Sequence, residues 1–259
     1  MRASASAKET PRRPGKIRLD HLLVERGLAE SGAKAQALIL AGRVFRGEER
    51  LDKPGVQVAA DAPVTVRAAD DHVSRGAHKL IAGLDAFGID PAGLVCLDVG
   101  ASTGGFTDVL LRRGAARVHA VDVGYGQFDA RLRGDPRVVV HERTNARHLT
   151  AAQVPERVDL VVCDASFIPL KLVLPAPLAL TRPGAALVAL IKPQFEVGKG
   201  QVGKGGVVRD PALHEAVCAA VASWLSGLGG WEVLGVVPSP LKGPAGNHEF
   251  LIGARRNAT

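Results

Sequence analysis

The sequence predicts an α/β protein: a doubly wound, Rossmann-like sheet with an antiparallel last strand, preceded by a small α+β domain. Three observations predict this fold class. Val- and Leu-rich segments alternate with helical segments from Leu94 onward, as in a parallel sheet covered by helices on both faces. A glycine-rich loop follows the first of these strands. The last two strands are joined by the loop PSPLKGPAGNH, which is too short for a crossover helix and therefore makes the final pair antiparallel.

The composition is that of a folded globular chain. Of its 259 residues, 46% are hydrophobic and 23% are charged, unlike a disordered chain. The longest apolar stretches run for about eight residues, well short of the roughly 20 that a membrane-spanning helix needs. We therefore expect no transmembrane segment. The basic start of the chain is similar in composition to an organellar transit peptide but lacks an apolar face, so we expect a cytoplasmic protein.

The net charge of +7 is concentrated at the start of the chain, where the first 18 residues hold six Lys or Arg side chains and one Glu. Clustered cations of this kind bind nucleic-acid phosphates, and a solubilising leader is an equally good interpretation. The predicted division of the chain is a basic disordered arm (1–16), a small α+β domain (17–67), a linker (68–76) and an α/β domain (77–259).

The small domain is predicted to contain two short helices followed by short strands. Leucines recur at helical spacing from Leu19 to Leu23, and Gly27 ends this helix. Ser31 is placed to cap a second helix, which stops at Gly42. The valines that follow alternate at a strand period, at positions 56, 58, 64 and 66.

Seven strands and one long helix are predicted in the α/β domain. The helix begins at Pro211 with Asp210 as its N-cap and ends near Leu228. An antiparallel closing pair is the arrangement of the methyltransferase variant of the doubly wound fold, whereas dinucleotide dehydrogenases keep their last strands parallel. The predicted strands are 94–99, 117–122, 137–140, 158–163, 185–191, 231–237 and 249–254.

The glycine-rich loop, Gly100 to Phe106, joins the first of these strands to a helix. Its glycines permit a tight turn and the close approach of a ligand to backbone amides. Asp122 ends the second strand, where an acid accepts hydrogen bonds from ribose hydroxyls. NAD, FAD and S-adenosylmethionine sites all use such a loop, and a purely structural turn is a further alternative. The spacing is not G-x-G-x-x-G, which disfavours a dehydrogenase.

Polar side chains are predicted to meet at the edge of the sheet where the parallel strands end. Asp164 and Lys192 follow the fourth and fifth strands. Glu249 opens the last strand, which runs the other way and so begins at the same edge. Lys79, on the helix before the first strand, can reach the same place. The alternatives are an ordinary ion pair between Lys192 and Glu249 at the rim and a capping role for Asp164.

These four side chains suit methyl transfer to a sugar hydroxyl, which is a poor nucleophile until a base removes its proton. Partial burial of Lys192 beside a second cation, Lys79, favours the neutral amine that a base requires. Methyltransferases that act on base amines carry an Asn/Asp-Pro-Pro-aromatic sequence. Here Asp164 is followed by Ala-Ser-Phe instead. We interpret the cysteines as core residues and expect neither a metal site nor a disulfide; they are Cys96, Cys163 and Cys218.

A series of motifs between about residues 17 and 255 resembles one known family. The motifs are VSRGAHKL, LDVGASTGGFTDVLL, AVDVGYGQ, ERTNAR, LVVCDASFIPL, ALIKPQFEVGKGQVGKGGVVRDP and GPAGNHEFL. They resemble the TlyA family, in which an S4-type RNA-binding domain precedes an FtsJ-like ribosomal RNA 2′-O-methyltransferase domain. Members of this family are often labelled hemolysin.

The resemblance implies S-adenosylmethionine as the cofactor and the 2′-hydroxyl of a cytidine in ribosomal RNA, within ribosomal subunits, as the substrate. It also implies a catalytic tetrad of Lys79, Asp164, Lys192 and Glu249, in which Lys192 is the base. The positions that match cofactor contacts are Gly100, Ala101, Ser102, Thr103, Gly104, Gly105, Phe106, Asp122 and Asn145.

RNA is expected to reach this site along basic side chains. With ten aromatic residues in the chain, recognition by charge and shape is favoured over extensive base stacking.

Where the family has Ser-Arg, this chain has Ser31-Gly32, so Lys34 is the substitute for one phosphate contact. His78 and His248 replace more usual apolar residues and are interpreted as rim residues. The expected RNA-binding residues are Lys34, Arg43 and Arg46 in the small domain and Lys199, Lys204 and Arg209 in the loop after the fifth strand; a solvated mobile loop is the alternative for the last three.

Two other functions stay open at this point. A hemolysin-like, membrane-active protein predicts an amphipathic or spanning segment, and the sequence contains neither. A non-catalytic RNA-binding factor for ribosome assembly would retain the fold, and the intact set of four polar side chains argues against it.

Overall fold

The computed structural model describes residues 15–47, 49–67, 71–198, 200–243 and 245–258. The chain forms two compact units, Met1–Asp70 and Asp71–Thr259. Lys199, most of the predicted basic arm and part of the predicted linker lie outside the described residues.

Two short helices and two small antiparallel sheets make up the described part of the first unit. Gly27 and Gly42 adopt left-handed backbone angles just past the two helices, with φ of 65° and 67°, as glycines that end helices do. The Ser31 hydroxyl accepts a hydrogen bond from the Lys34 amide at 3.2 Å, so the predicted N-cap is present. The helices are α1 (Leu19–Glu25) and α2 (Gly32–Leu40), and the strands are β1 (Lys16–Arg18), β2 (Val44–Arg46), β3 (Glu49–Arg50), β4 (Gln57–Ala59) and β5 (Val64–Val66).

The two helices and the strands of this unit share one apolar core. Leu19 and Leu23 of α1, Ile39 of α2 and Val44 of β2 are completely buried in it. Strand β1 pairs with β4, and β2 lies between β3 and β5. Lys16, which was predicted to belong to the basic arm, pairs with Ala59 in the first of these sheets.

The second unit is built on a seven-stranded sheet. In spatial order the strands run β11-β12-β10-β9-β6-β7-β8. The five strands from β10 to β8 are parallel to one another. The strands are β6 (Val95–Val99), β7 (Arg117–Val121), β8 (Val138–His141), β9 (Val158–Cys163), β10 (Thr181–Ile191), β11 (Trp231–Pro238) and β12 (Phe250–Arg256).

The last strand confirms the predicted fold class. β12 is antiparallel to both of its neighbours, β10 and β11, and it lies between them. Phe250 at its start is opposite Ile191 at the end of β10. The residues just before β12 and just after β10 therefore lie at the same edge of the sheet. Strand β10 begins at Thr181, four residues earlier than predicted, and its pairing with β9 is irregular between Thr181 and Ala186.

Helices cover both faces of this sheet. Asp210 caps the longest helix by accepting a hydrogen bond from the Ala212 amide at 2.9 Å, as predicted. Gly83 lies in the helix Ala77–Phe87 and allows it to pack close against the sheet. A Cβ at this position would come within 2.7 Å of Val188. The helices are α3 (Ala77–Phe87), α4 (Gly105–Arg112), α5 (Ala130–Arg133), α6 (Leu170–Val173), α7 (Pro175–Ala179), α8 (Pro193–Glu196) and α9 (Pro211–Gly227).

The cysteines have the structural role that the sequence indicates. Cys96 and Cys163 are buried in the two apolar clusters on opposite faces of the sheet, and all three thiols are free. Burial raises the pKa of Cys163 to about 12. It likewise raises the pKa of the half-buried Cys218 to about 11. Such thiols are poor nucleophiles at neutral pH.

None of the helices in the described part of the chain combines the length and the apolar character needed to cross a membrane.

Acidification is expected to destabilise the second unit through His141, on the edge strand β8. Its Nε2 lies 3.1 Å from Nδ1 of His119, which is buried and also contacts Glu156. Burial, and then the neighbouring His119, lower the pKa of His141. Because the folded state disfavours the imidazolium, the unfolded state takes up this proton first, and stability is lost as the pH falls below about 6.5.

The measurement is the Tm at about pH 7.5 and about pH 5.5. The decrease on acidification should be larger for the wild-type protein than for the His141→Gln variant. An equal decrease in both proteins would contradict the assignment.

Candidate active site

The four predicted catalytic side chains lie on the wall of one cavity of about 510 Å³, here called the tetrad cavity. Asp164 follows β9, Lys192 follows β10 and Glu249 directly precedes β12, so the sheet brings all three to one edge. Lys79, in the first turn of α3, completes the set. Lys79, Lys192 and Glu249 are buried.

Within the tetrad cavity the four side chains form two ion pairs. Lys79 Nζ lies 2.6 Å from Glu249 Oε2, and Lys192 Nζ lies 2.6 Å from Asp164 Oδ1. The pairing differs from the rim ion pair between Lys192 and Glu249 that the sequence left open. Buried charges need a partner because desolvation otherwise penalises them strongly, and here each lysine is paired with one carboxylate.

The amine of Lys192 is held by two hydrogen bonds in addition to its ion pair with Asp164. It donates to the Asp164 backbone carbonyl at 3.0 Å and to Ser166 Oγ at 2.8 Å, and the Asp164 carboxylate neutralises its charge. These contacts fix the position of the nitrogen at the cavity wall. Ser166 was not among the sequence-predicted site residues, and only its place two positions after Asp164 signals it.

The glycine-rich loop approaches this site closely. Gly100 has a φ of 82°, and a Cβ there would lie 2.8 Å from the Ala165 amide nitrogen. A glycine is therefore required where the ends of β6 and β9 meet. Asp164 donates its backbone amide to the carbonyl of Val99 at 3.0 Å, which holds the carboxylate beside the loop.

Two further cavities, of about 310 and 440 Å³, flank the glycine loop and are here called the loop crevice. Gly100, Ser102 and Asp164 line both of them and the tetrad cavity as well. Gly104 lies on none of these walls, because its α-carbon faces Leu132, which a Cβ would approach to 2.5 Å. The other predicted loop residues that line the smaller cavity are Ala101, Thr103, Gly105 and Phe106.

Asp122 and Asn145 lie together on the wall of the larger part of the loop crevice. The Asp122 carboxylate accepts hydrogen bonds from the backbone amides of Ser102 at 2.8 Å and Gly124 at 2.7 Å. Asn145 accepts one from the Arg147 amide at 3.1 Å. Each Asp122 oxygen keeps a second lone pair for a hydroxyl donor. Apolar side chains, among them Val121 and Ile168, form the rest of this wall.

Asp98, at the end of β6, is a buried acid that the sequence analysis did not assign. Thr107 donates its hydroxyl to Asp98 Oδ2 at 2.7 Å, and Oδ1 has no partner among the described residues. Complete burial raises the pKa of Asp98 to about 7, against the opposing effect of the Thr107 hydrogen bond. The side chain lines neither cavity of the loop crevice, and its hydrogen bond to Thr107 joins the end of β6 to α4.

Asn247 ties the loop after β10 to the tetrad cavity. This buried side chain accepts a hydrogen bond from the Val208 amide and donates one to the Gly206 carbonyl, both at 2.9 Å. Gly206 and Asn247 both line the tetrad cavity. Lys204 and Arg209, which were predicted to bind RNA, are exposed on this loop, whereas Lys199 lies outside the described residues.

The predicted RNA-binding residues of the first unit differ in their partners. Arg46 forms an exposed ion pair with Glu49 at 2.6 Å, so part of its charge is neutralised within the unit. Arg43 donates to the backbone carbonyl of Arg67 at 3.0 Å. Lys34 is exposed in the first turn of α2. His78 and His248 of the second unit are also exposed, as expected of rim residues.

Comparison with known families matches both units. Residues 72–256 match the model of the FtsJ-like methyltransferase family, and residues 17–64 match the model of the S4 domain. Among curated proteins, the chain is 54% identical over 242 residues to the 16S/23S rRNA (cytidine-2′-O)-methyltransferase TlyA of Mycobacterium tuberculosis, an alignment that covers 93% of this chain and 90% of that protein.

Two other relatives carry a different name. Hemolysin A of Brachyspira hyodysenteriae is 38% identical over 236 residues, covering 91% of this chain and 98% of that protein. A solved structure from Streptococcus thermophilus, whose name also refers to hemolysin, is 37% identical with a TM-score of 0.72, over 96% of this chain and 90% of that one. The family match, the relatives and the fold agree over nearly the whole chain.

Proposed function

The chain belongs to the TlyA family of FtsJ-like methyltransferases and carries an N-terminal S4 domain, and from this membership we propose that it methylates the 2′-hydroxyl of a cytidine in ribosomal RNA. The methyl donor in the proposal is S-adenosylmethionine, and the acceptor RNA is presented within a ribosomal subunit. A ribosomal substrate assigns the proposed activity to the cytoplasm.

The residues of the loop crevice fit S-adenosylmethionine. Gly100 lines the crevice with backbone alone, the Asp122 carboxylate has free lone pairs for ribose hydroxyls, and the apolar wall beside Asn145 suits an adenine ring. When bound, S-adenosylmethionine supplies a methyl group that is electrophilic because it is attached to a sulfonium sulfur. Gly100 and Ser102 line both the crevice and the tetrad cavity, so a nucleophile held in the tetrad cavity would face the crevice.

The observation that carries the proposal is the position of the Lys192 amine. It is buried on the wall of the cavity that adjoins the crevice, held by Asp164 and Ser166. In the proposed reaction it acts as a neutral amine, which keeps two N–H donors for these acceptors and directs its lone pair at the 2′-hydroxyl. Lys192 then takes the hydroxyl proton as the oxygen attacks, and Asp164 stabilises the resulting ammonium.

The second ion pair supports the same reaction in the proposal. Lys79 and Glu249 hold each other at 2.6 Å on the same cavity wall. In the proposal, the cation of Lys79 adds positive potential to the wall of the cavity that holds the nucleophile. Glu249 limits that potential and fixes the amine of Lys79 in place.

The decisive test is to map 2′-O-methylated nucleotides in ribosomal RNA from cells with and without this gene. We expect at least one cytidine to lose its methyl group in the deletion strain and to regain it when purified protein and S-adenosylmethionine are added to the isolated subunits. A non-catalytic assembly factor would leave the methylation pattern unchanged. A membrane-active protein would lyse erythrocytes without transferring a methyl group.

Charge reversal of Lys34 is expected to weaken RNA binding by the S4 domain. Lys34 is exposed, and its backbone rather than its amine takes part in the helix cap. A Lys34→Glu variant should bind ribosomal subunits several-fold more weakly, with a salt dependence reduced by about one phosphate contact. Filter binding at several salt concentrations measures both quantities.

The matched control is Lys53→Glu, at another exposed lysine of the same unit that was not predicted to bind RNA. Equal losses in the two variants would indicate a general charge effect and would contradict a specific contact at Lys34.

A further inference from the structure

Gln194 has a side-chain oxygen that lacks a hydrogen-bond partner among the described residues. It lies on α8, two residues after Lys192, and lines the cavity together with all four tetrad side chains. Its Oε1 atom is buried, and no donor among the described residues reaches it. A buried carbonyl oxygen without a donor is costly and rare in folded proteins. The unpaired oxygen therefore points to a donor on a molecule that binds in this cavity.

The chemistry of an RNA nucleotide limits what this donor can be. Phosphate oxygens, the ribose ring oxygen and the esterified 3′ oxygen are acceptors only, and a carbonyl oxygen would repel them. The 2′-hydroxyl of the target is assigned to Lys192. The remaining donors of the target nucleotide are the N–H groups of its base. The cofactor is a weaker match, because Gln194 lines the tetrad cavity and neither part of the loop crevice.

The surroundings of Gln194 suit a flat base. The neighbouring residue Phe195 packs against Phe167, with ring centroids 5.0 Å apart, and both rings line the tetrad cavity. Phe167 has a left-handed φ of 65° and is 89% exposed, so its ring is available to a ligand. Two aromatic rings beside a polar acceptor suit a flat ligand that carries a hydrogen-bond donor.

We propose that Gln194 Oε1 accepts a hydrogen bond from the exocyclic N4 amino group of the target cytosine and thereby selects cytidine over uridine. Uracil carries the acceptor O4 at the position of this amino group, so uridine would bring two acceptors together. A site built to bond a donor rejects an analogue that lacks it far more strongly than an apolar pocket does. The inference rests on the proposed 2′-O-methylation of cytidine.

The test compares single-turnover methylation of subunits that carry either the mapped cytidine or uridine at the same position. The wild-type enzyme should prefer cytidine by about tenfold or more. Gln194→Leu removes the acceptor at similar volume and should bring the ratio of the two rates close to one, mainly by slowing cytidine. Gln194→Glu retains an acceptor and should keep the preference for cytidine. Gln153→Leu, at an exposed glutamine outside the cavity, is the matched control and should behave as the wild type.

Two results would overturn the assignment. One is a wild-type ratio in Gln194→Leu with the protein folded, as judged by its Tm. The other is a loss of S-adenosylmethionine affinity in Gln194→Leu that matches its loss of rate, because Oε1 would then serve the methyl donor. If the mapping experiment finds no cytidine that the wild-type enzyme methylates, the proposed function is wrong, and this inference is overturned with it.

Discussion

Replacement of Lys192 with alanine is expected to lower the rate of methyl transfer by about 10²–10⁴-fold, the range for loss of a positioned general base. In the proposed reaction the Lys192 amine, which Asp164 and Ser166 hold in place, takes the hydroxyl proton. Neither partner can take over this role from the same position. Affinity for S-adenosylmethionine should change little, because Lys192 does not line the loop crevice. Single-turnover rates and calorimetry measure the two effects separately.

The matched control is Lys171→Ala, which removes an exposed lysine on α6. It should leave both the rate and the cofactor affinity unchanged. Lys192→Arg should be nearly as inactive as Lys192→Ala, because a guanidinium stays charged at neutral pH and cannot act as a base. Substantial activity in either Lys192 variant would remove this residue from the role of base.

The residues that meet at the edge of the sheet could be predicted, because their placement depends on strand direction rather than on side-chain packing. A loop too short for a crossover helix makes β12 antiparallel, and that brings Glu249 beside the ends of β9 and β10. The glycine loop and Asp122 follow from the same reasoning, since each directly follows a strand of the parallel part of the sheet. The bounds of β6, β7 and β9 could be predicted to within one residue because apolar runs of Val and Leu mark strands buried on both faces.

The pairing of the charges could not be predicted in this way. Whether Lys192 contacts Asp164 or Glu249 depends on side-chain rotamers and on the tilt of α3, which sets the reach of Lys79. The contribution of Ser166 was equally hidden, because a serine in a loop usually forms local turn hydrogen bonds. Gln194 becomes informative only when the burial of one oxygen atom is known. Strand order thus places residues at an edge, and packing decides which of them interact.

The Lys79–Glu249 pair leads to a large expected effect on stability. Glu249→Ala leaves the buried ammonium of Lys79 without its partner at 2.6 Å. Removal of one member of a buried ion pair typically costs about 3–5 kcal/mol, so the free energy of unfolding should fall by that order. Methyl transfer should also be lost, because Glu249 fixes the second amine of the tetrad cavity. Urea unfolding of the full-length protein measures the change.

A control on the same helix separates burial from charge. Asp85 of α3 pairs with Arg113 at 2.7 Å, and the Asp85 side chain is 59% exposed, so Asp85→Ala should cost less than about 1 kcal/mol. The double variant Lys79→Met/Glu249→Leu should regain most of the stability lost in Glu249→Ala, because apolar side chains replace both charges, and it should remain inactive. If Glu249→Ala costs no more than Asp85→Ala, the pair is solvated in solution and cannot hold Lys79 in the way that the proposed reaction requires.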